Sequence, residues 1–308
     1  IAQQATSKNY PAKFLPPNHP RCSRLLLFIL FNNLGRYMTL VTKYDGTTEE
    51  YSEDKIKNSA SRVGVSDELQ QKMIDSIRGR LFDGISTREI FALIKVFLKS
   101  SGASHLAMKY NLKQALAELG PSGYPFEKYV SLLLSSEGYE TKVNQTIEGT
   151  CVSHEVDVLA FKDNVTYFIE AKFHKNPSQR TDVRVTLYIK ARDEDLTSNW
   201  KEGKTRAWIV TNTRFSSDAI KYGECQNIKL TSWGYPKGNG IADLIDRTGL
   251  HPITIIDDLS ASDKIRLLSS GVVVCNQLMD PANHYLLSKE FITNTLPQLA
   301  KICQNQRI

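Results

Sequence analysis

Hydrophobic residues recur at two different spacings along the chain, and the spacing changes near residue 120. Between residues 52 and 119 they recur every three or four positions, as on helices that bury one face. Between residues 151 and 173 they alternate with polar residues, as in β-strands. The pattern therefore predicts a helical part, preceded by a short β-hairpin, and an α/β part after it.

Four helices are predicted in the first part, after two short extended stretches joined by a turn at Asp45-Gly46. Ser52 precedes two acids and has the side chain of a helix N-cap. Ser86 opens a capping box with Glu89, three residues later. The predicted starts are Ser52, Ser66, Ser86 and Ala103, and the last helix is expected to end at Leu119.

The second part is predicted to contain the element order αβββαβ, which a short helix and a strand continue. Its first helix carries Glu127 near the start, and Asp163-Asn164 forms the turn between the second and third strands. Helices are predicted over 124–137, within 172–192 at Val183, Leu187 and Tyr188, and over 218–223. The strands cover 140–145, 151–161, 166–173, 208–216 and 227–230. After Gly249 we expect short helices that close the protein, with packing favoured over a DNA or partner contact.

The chain has 308 residues, of which 41% are hydrophobic and 23% charged, so it can bury a substantial core. The formal net charge is +6, but residues 1–37 contribute +5 of it and contain no acid. The remaining chain is almost neutral, so any case for nucleic-acid binding depends on local patches. We expect residues 1–37 to be a disordered or extraneous extension before Met38.

The five cysteines are scattered and include no CxxC pair, which favours a reduced, cytoplasmic setting. The apolar run Leu25–Phe31 is shorter than the roughly 20 residues of a spanning helix. A signal peptide is the alternative, but no small-residue cleavage site follows the run. We therefore expect no membrane association.

Two acids and a lysine fall on the alternating segments. Pairing the two strands places Asp157 beside Glu170, with Lys172 one step along the same surface. Carboxylates on an otherwise apolar strand pair are costly unless they bind a cation or take part in catalysis. Oxygen ligands of this kind suit Mg²⁺, and a neighbouring lysine can position water or offset charge on a phosphate. We therefore predict Asp157 and Glu170 as metal ligands.

Strict alternation in this segment has two further consequences. Val156 and Val158 are expected on one face, and Glu155 is expected on the face of Asp157, as a supporting partner or a surface acid. His154 falls on the face opposite Asp157, and the HEVDV string lacks the second histidine of a zinc-protease HExxH motif. We expect both His154 and His174 to be structural.

The residues Asp157 and Glu170-Ala171-Lys172 reproduce a D-x(n)-E-x-K pattern. The pattern alone arises by chance, and a Glu-Lys pair on a strand is often a solvated cross-strand contact. Here it occurs in order with other strings that match the same family: Phe126-Glu127, Gly138-Tyr139, residues 154–158, residues 169–174 and residues 208–216.

Over residues 122–250 the chain resembles the Mrr-type branch of the PD-(D/E)XK nucleases. The resemblance implies an Mg²⁺-dependent endonuclease that hydrolyses phosphodiester bonds in DNA, of a restriction or repair type. It implies that Glu127 joins Asp157, Glu170 and Lys172 as a catalytic residue.

A basic stretch follows the third strand. Residues 172–192 hold six bases and one acid, Asp182. This basic stretch is a candidate for tracking the phosphates of DNA. The alternative is a solvated helix flank. The residues predicted to contact DNA are Lys175, Arg180, Arg184 and Lys190.

The first part carries a second ordered set of motif residues: Val41, Lys43, Asp45, Gly46, Tyr51, Lys55-Ile56 and Thr87–Ile90. The set resembles the ATP-cone, a regulatory nucleotide-binding module, with Tyr44 where that family usually has a second basic residue. The resemblance implies that ATP or dATP binds at Val41, Lys43, Asp45, Gly46 and Lys55, where two lysines can meet a triphosphate. The alternative is an ordinary solvated hairpin.

The sequence therefore predicts an α/β protein with an ATP-cone over residues 38–120, a restriction-endonuclease-like core over residues 121–250 and a small helical C-terminal segment over residues 251–308. We expect a nucleotide-regulated, Mg²⁺-dependent DNA endonuclease that forms a homo-oligomer and has DNA and an adenine nucleotide as partners. The alternative is a DNA-binding regulator that senses ATP or dATP through an inactive nuclease fold.

Overall fold

The computed structural model describes residues 39–297 and 299, which lie in one compact unit beginning at Thr39. Several features of the sequence lie outside these described residues: the extension 1–37, its run Leu25–Phe31, Met38, Cys22, Ile302 and Cys303. In the described part of the chain, every helix is too short or too polar to cross a membrane.

The N-terminal module is a three-stranded sheet packed with helices. Strand β1 is central, antiparallel to β2 and parallel to β3. Its elements are β1 (Leu40–Thr42), β2 (Thr48–Glu50), α1 (Glu53–Arg62), α2 (Asp67–Arg78), β3 (Ile85–Ser86), α3 (Thr87–Ser100), α4 (Ser104–Tyr110) and α5 (Leu112–Ala117). The predicted hairpin is therefore present, and β3 is a strand that the sequence pattern did not indicate.

The helix caps form as predicted. Ser52 Oγ accepts a hydrogen bond from the Lys55 amide at 3.4 Å. Ser86 Oγ accepts one from the Glu89 amide at 3.1 Å, and the Glu89 carboxylate accepts one from the Ser86 amide at 2.8 Å. One prediction in this part is wrong: the helix expected over residues 103–119 ends at Tyr110, and α5 begins after Asn111.

The α/β core is a five-stranded sheet with the strand order β10-β8-β6-β5-β4. Helix α6 covers one face, while α7 and α8 pack on the other. The elements are α6 (Tyr124–Ser136), β4 (Glu140–Glu148), β5 (Ser153–Lys162), β6 (Val165–Lys172), β7 (Arg180–Thr181), α7 (Val183–Asn199), β8 (Lys204–Thr211), β9 (Arg214–Phe215), α8 (Ser217–Cys225) and β10 (Lys229–Thr231). This arrangement confirms the predicted α/β fold class.

The hairpin turn between β5 and β6 sets their register. Asp163 and Asn164 both have positive φ angles, 52° and 61°, the conformation of a two-residue type I′ turn. Because Lys162 pairs with Val165, the antiparallel register brings Val158 opposite Ile169. The end of β5 that carries Asp157 is thereby placed beside the end of β6 that carries Glu170.

The alternation predicted for β5 breaks at Asp157. Val158 packs in the cluster under α6, whereas Val156 packs with Leu196 of α7, on the opposite face. The partner strand β4 is irregular at the same level: Asn144, which the register places opposite Asp157, has a φ of 51°. The prediction that Val156 and Val158 share a face is therefore wrong, because the strand pair turns over at this left-handed residue while its register stays the same.

The C-terminal segment packs into the core. It contains α9 (Ile241–Thr248), α10 (Ala261–Ser269), three 3₁₀ segments (Ile253–Ile255, Cys275–Met279 and Pro281–Leu286) and a π-helical turn (Phe291–Thr295). Its buried side chains share one hydrophobic cluster with α5 and α6. Lys95 and Lys99 of α3 also pair with Asp257, at 2.9 and 2.8 Å. The N-terminal module is therefore docked on the core through both apolar and ionic contacts.

Candidate functional site

The two strands that carry the predicted chemistry separate at the level of Asp157. The β5–β6 ladder ends at the pair Val158 and Ile169, one residue before Asp157 would meet Glu170. Instead, Asp157 Oδ2 accepts a hydrogen bond from the Ala171 amide at 2.7 Å. The carboxylate thus takes a position that a backbone carbonyl would hold in a continued ladder, and it is fixed next to β6.

A cleft of about 630 Å³ opens at this point, and its wall includes all four side chains predicted to be catalytic: Glu127, Asp157, Glu170 and Lys172. Glu127 reaches it from the first turn of α6. A Cβ atom at position 123 would lie 3.0 Å from Glu127 Oε1, so Gly123 leaves room for this carboxylate. Helix α6 and the hairpin strands β5 and β6 therefore contribute to one cleft.

Burial and mutual repulsion disfavour the ionised forms of two acids in the cleft, Glu127 and Asp157. Burial, with a smaller effect from the charges of Asp157, Glu155 and Glu170, raises the pKa of Glu127 to about 7. Burial and the charge of Glu170 raise the pKa of Asp157 to about 6, against the opposing effect of the Ala171 amide. The cluster consequently favours either protons or a bound cation.

Glu170 has a cationic partner inside the protein. Arg192 of α7 lies with Nη1 3.0 Å from Glu170 Oε2, and its side chain is only 5% exposed. In the sequence Arg192 belonged to the basic stretch proposed to track phosphates, which is wrong for this residue because it is buried. Its position was signalled by the helix pattern, since it falls on the apolar stripe with Ile189 and Leu196.

Lys172 lies beside the acids but is not neutralised by them. Within the described residues its ammonium group takes part in no ion pair or hydrogen bond. It lines the 630 Å³ cleft and also an adjoining cleft of about 450 Å³. A lysine in this position can meet an anionic ligand that enters either cleft.

Asp157 and Glu170 fit a cation that keeps water ligands. Across residues 39–297 and 299, no group of three or more His, Cys, Asp or Glu side chains is arranged to hold a metal ion. Asp157 and Glu170 each use one carboxylate oxygen in the contacts above, and the other oxygen has no partner in this part of the chain. Two carboxylate oxygens completed by water are a common Mg²⁺ environment.

The residues predicted to contact DNA have different surroundings. Lys175 lines the larger cleft and Arg180 the adjoining one, and both are exposed. Arg184 pairs with Asp182, its Nε 3.0 Å from Oδ2, and Lys190 pairs with Glu194 at 3.3 Å. Gln179 and the exposed Tyr188 are among the cleft residues that the sequence analysis missed, because nothing in their local pattern marks them.

Both histidines of this region make contacts inside the protein, and His174 also lines both clefts. His154 Nε2 lies 2.7 Å from Asp195 Oδ2, which fastens β5 to α7. The buried His174 ring lies 2.9 Å from Thr181 Oγ1, and its backbone exchanges two hydrogen bonds with the Asn212 side chain. These contacts hold the segment that leaves β6 just after Lys172.

The hairpin residues of the N-terminal module form a second charged cluster. Lys43 Nζ and Lys55 Nζ both lie 2.8 Å from Glu49 Oε2. Asp45 accepts hydrogen bonds from the Thr47 amide and hydroxyl at 3.1 and 2.7 Å, so it shapes the turn. The remaining predicted residues are Val41, which is buried in the module, and Gly46, whose φ of 82° suits glycine.

Comparisons with known proteins locate the similarity in the α/β core. Residues 120–234 match the restriction endonuclease family Mrr_cat. An uncharacterized protein of Archaeoglobus fulgidus is 41% identical over 155 residues, which cover 50% of this chain and 86% of the relative.

Two solved structures are also similar. AF1548, a protein of unknown function, aligns with a TM-score of 0.52 and 35% identity, over 60% of this chain and 100% of that one. The MspJI restriction endonuclease in complex with a 27-mer oligonucleotide aligns with a TM-score of 0.31 and 15% identity, over 56% of this chain and 36% of that one.

Proposed function

Because the chain belongs to the family of the Archaeoglobus fulgidus protein and contains a restriction endonuclease domain at residues 120–234, we propose that it is an Mg²⁺-dependent endonuclease that hydrolyses DNA. The observation that carries the proposal is the convergence of Glu127, Asp157, Glu170 and Lys172 on one cleft. Restriction and repair substrates both fit this reaction.

Asp157 and Glu170 are the residues that would hold the ion. When bound, Mg²⁺ would neutralise the acidic cluster and polarise a phosphate oxygen. Lys172, which has no protein counter-charge in the described part, would orient the attacking water and offset the charge that grows on the phosphate. Glu127, whose carboxylate lines the same cleft, would exchange a proton with that water.

DNA is the substrate that the surroundings of the cleft support. Lys175 and Arg180 are exposed basic groups on its walls, and Tyr188 offers an exposed aromatic ring in the adjoining cleft. Arginine and lysine bind phosphates, and an aromatic ring can stack on a base. Arg184 and Lys190 would contribute at the rim once their acidic neighbours release them.

The N-terminal module would make the nuclease responsive to ATP or dATP. The support is that Lys43 and Lys55 already converge on one anionic group, the Glu49 carboxylate. Phosphate oxygens could replace this carboxylate between the two ammonium groups. The module would then report nucleotide binding to the core with which it packs.

The test is a plasmid-nicking assay with the full chain, run with Mg²⁺ and with EDTA. Wild-type protein should nick only with Mg²⁺, and Asp157→Asn should not nick at all. Asp218→Asn, at an exposed acid on α8, is the matched control and should cut like wild type.

Two outcomes would reject the proposal. Cutting that survives Asp157→Asn would show that the reaction occurs elsewhere. DNA binding without cutting by wild-type protein, across plasmid, methylated and branched substrates, would instead support a regulator with an inactive nuclease fold.

A further inference from the structure

Arg192 is the basic side chain that contacts the acidic cluster in the described part of the chain. Its Nη1 bridges Glu170 Oε2 at 3.0 Å and the Glu155 carbonyl oxygen at 3.1 Å. Its Nη2 is buried and has no hydrogen-bond partner. The guanidinium carbon lies 5.7 Å from the centre of the Tyr188 ring.

A buried arginine in this state is costly for stability. An unpaired guanidinium nitrogen loses its hydration, and an ion pair that is out of water contributes little net free energy. A methionine or leucine would fill the same stripe position between Ile189 and Leu196 without that cost. The charge at position 192 therefore points to a role other than packing.

We propose that Arg192 is a positioning residue that orients Glu170 for a divalent cation. By binding Oε2 it fixes the rotation of the carboxylate, and its bond to the Glu155 carbonyl fixes the guanidinium in turn. The other carboxylate oxygen of Glu170 is then left for the ion that Asp157 would share. The inference rests on the proposed function, because it requires a cation at these two acids.

The same contact allows an opposite role, and the two roles predict opposite changes in cation affinity when Arg192 is removed. If Arg192 were a competitor that occupies Glu170 until a cation displaces it, then removing it would tighten cation binding. If Arg192 orients Glu170, removing it weakens binding, since groups that orient metal ligands typically contribute about 10- to 100-fold to affinity.

The experiment is Mn²⁺ titration of the full chain by calorimetry at pH 7.5, without DNA. Arg192→Met should bind Mn²⁺ about 10- to 100-fold more weakly than wild type. Arg192→Lys should recover part of the loss, because an ammonium group keeps a positive charge near Glu170 but lacks the rigid planar geometry that lets Nη1 contact both Glu170 and the Glu155 carbonyl. Arg80→Met, at an exposed arginine, is the control and should bind like wild type.

The outcomes separate the inference from the proposed function. Unchanged or tighter binding in Arg192→Met overturns the positioning role, provided that Asp157→Asn abolishes binding. If wild-type protein does not bind Mn²⁺, or Asp157→Asn binds it normally, the metal site fails and both proposals fall with it. Should Arg192→Met fail to fold, Arg192→Lys decides the question, and wild-type affinity in that folded variant overturns the positioning role.

Discussion

The candidate cleft and the N-terminal hairpin each gather charged side chains beside a sheet, but the balance of acids and bases is opposite in the two. In the cleft the acids outnumber the cations, and the pKa values of Glu127 and Asp157 rise to about 7 and about 6. In the hairpin two lysines surround Glu49, and their hydrogen bonds lower its pKa. One cluster is destabilised until a ligand brings positive charge, whereas the other is already satisfied by its own side chains.

The largest effect is expected on the nicking rate, when Lys172 of the cleft is replaced. Lys172→Ala should lower the rate of Mg²⁺-dependent nicking by at least about 100-fold, because a positive group near the reacting phosphate is lost. The measurement is a single-turnover nicking assay. Lys221→Ala, at an exposed lysine of α8, should leave the rate unchanged, and retained cutting by Lys172→Ala would remove this residue from the mechanism.

The hairpin should show an intermediate effect, on ligand binding rather than on the reaction. Lys43→Ala combined with Lys55→Ala should weaken ATP or dATP binding by about tenfold or more, because two charge-assisted phosphate contacts are lost. Calorimetry with the full chain measures it, and Lys57→Ala serves as the neighbouring control. Equal affinity in the double variant and wild type would mean that the hairpin is an ordinary solvated surface.

A smaller effect is expected on stability: removing the charge of Glu127 in the cleft should stabilise the protein at high pH. The pKa of Glu127 is raised in the folded state, so folding binds protons and wild-type stability falls as pH rises from about 4.5 to about 7. Glu127→Gln carries no charge at any pH. In EDTA it should therefore unfold about 2–6 °C higher than wild type at pH 8 and show little difference near pH 4.

Thermal unfolding at several pH values tests this expectation. Glu202→Gln, at an exposed acid, is the control and should follow wild type. A variant Glu127→Gln that is less stable than wild type at pH 8 would show that the cleft stabilises this carboxylate instead of opposing its charge.

The smallest effect, and the opposite sign, belongs to the hairpin. The pKa of Glu49 is lowered by Lys43 and Lys55, so its contribution is present above about pH 4.5 and is lost as pH falls through the lowered pKa. Glu49→Gln should lower the unfolding temperature by about 1–2 °C at pH 7, since partly exposed ion pairs contribute little. A stabilised variant would erase the contrast between the two clusters.

Local signals in the sequence were sufficient for much of the fold. The Ser86–Glu89 capping box and the Asp163-Asn164 turn depend on residues within a few positions of each other, and both form. The turn also fixes the register that puts Asp157 level with Glu170, so the proximity of these two acids followed from the hairpin register, although the alternation of faces along β5 did not hold.

The features that were missed depend on contacts across the molecule. The face change between Val156 and Val158 is produced with Asn144 on a neighbouring strand, which no pattern within β5 reveals. The ion pair between Arg192 and Glu170 joins two separate elements, and charge counting alone placed this arginine on the surface although its position on the helix indicates burial. The break at Asn111 occurs where buried residues pass from one hydrophobic cluster to another.

The double ion pair at Asp257 makes α3 a rigid connection between the hairpin and the C-terminal segment. At its start, Ser86 pairs with Thr42 of the hairpin strand, and near its end Lys95 and Lys99 hold the C-terminal segment. Its 14 residues form a rod of about 21 Å with no intervening hinge. Any tilt of β1 would therefore move α3 as a rigid body and displace its other end at the far side of the module, because no flexible loop lies between the two ends.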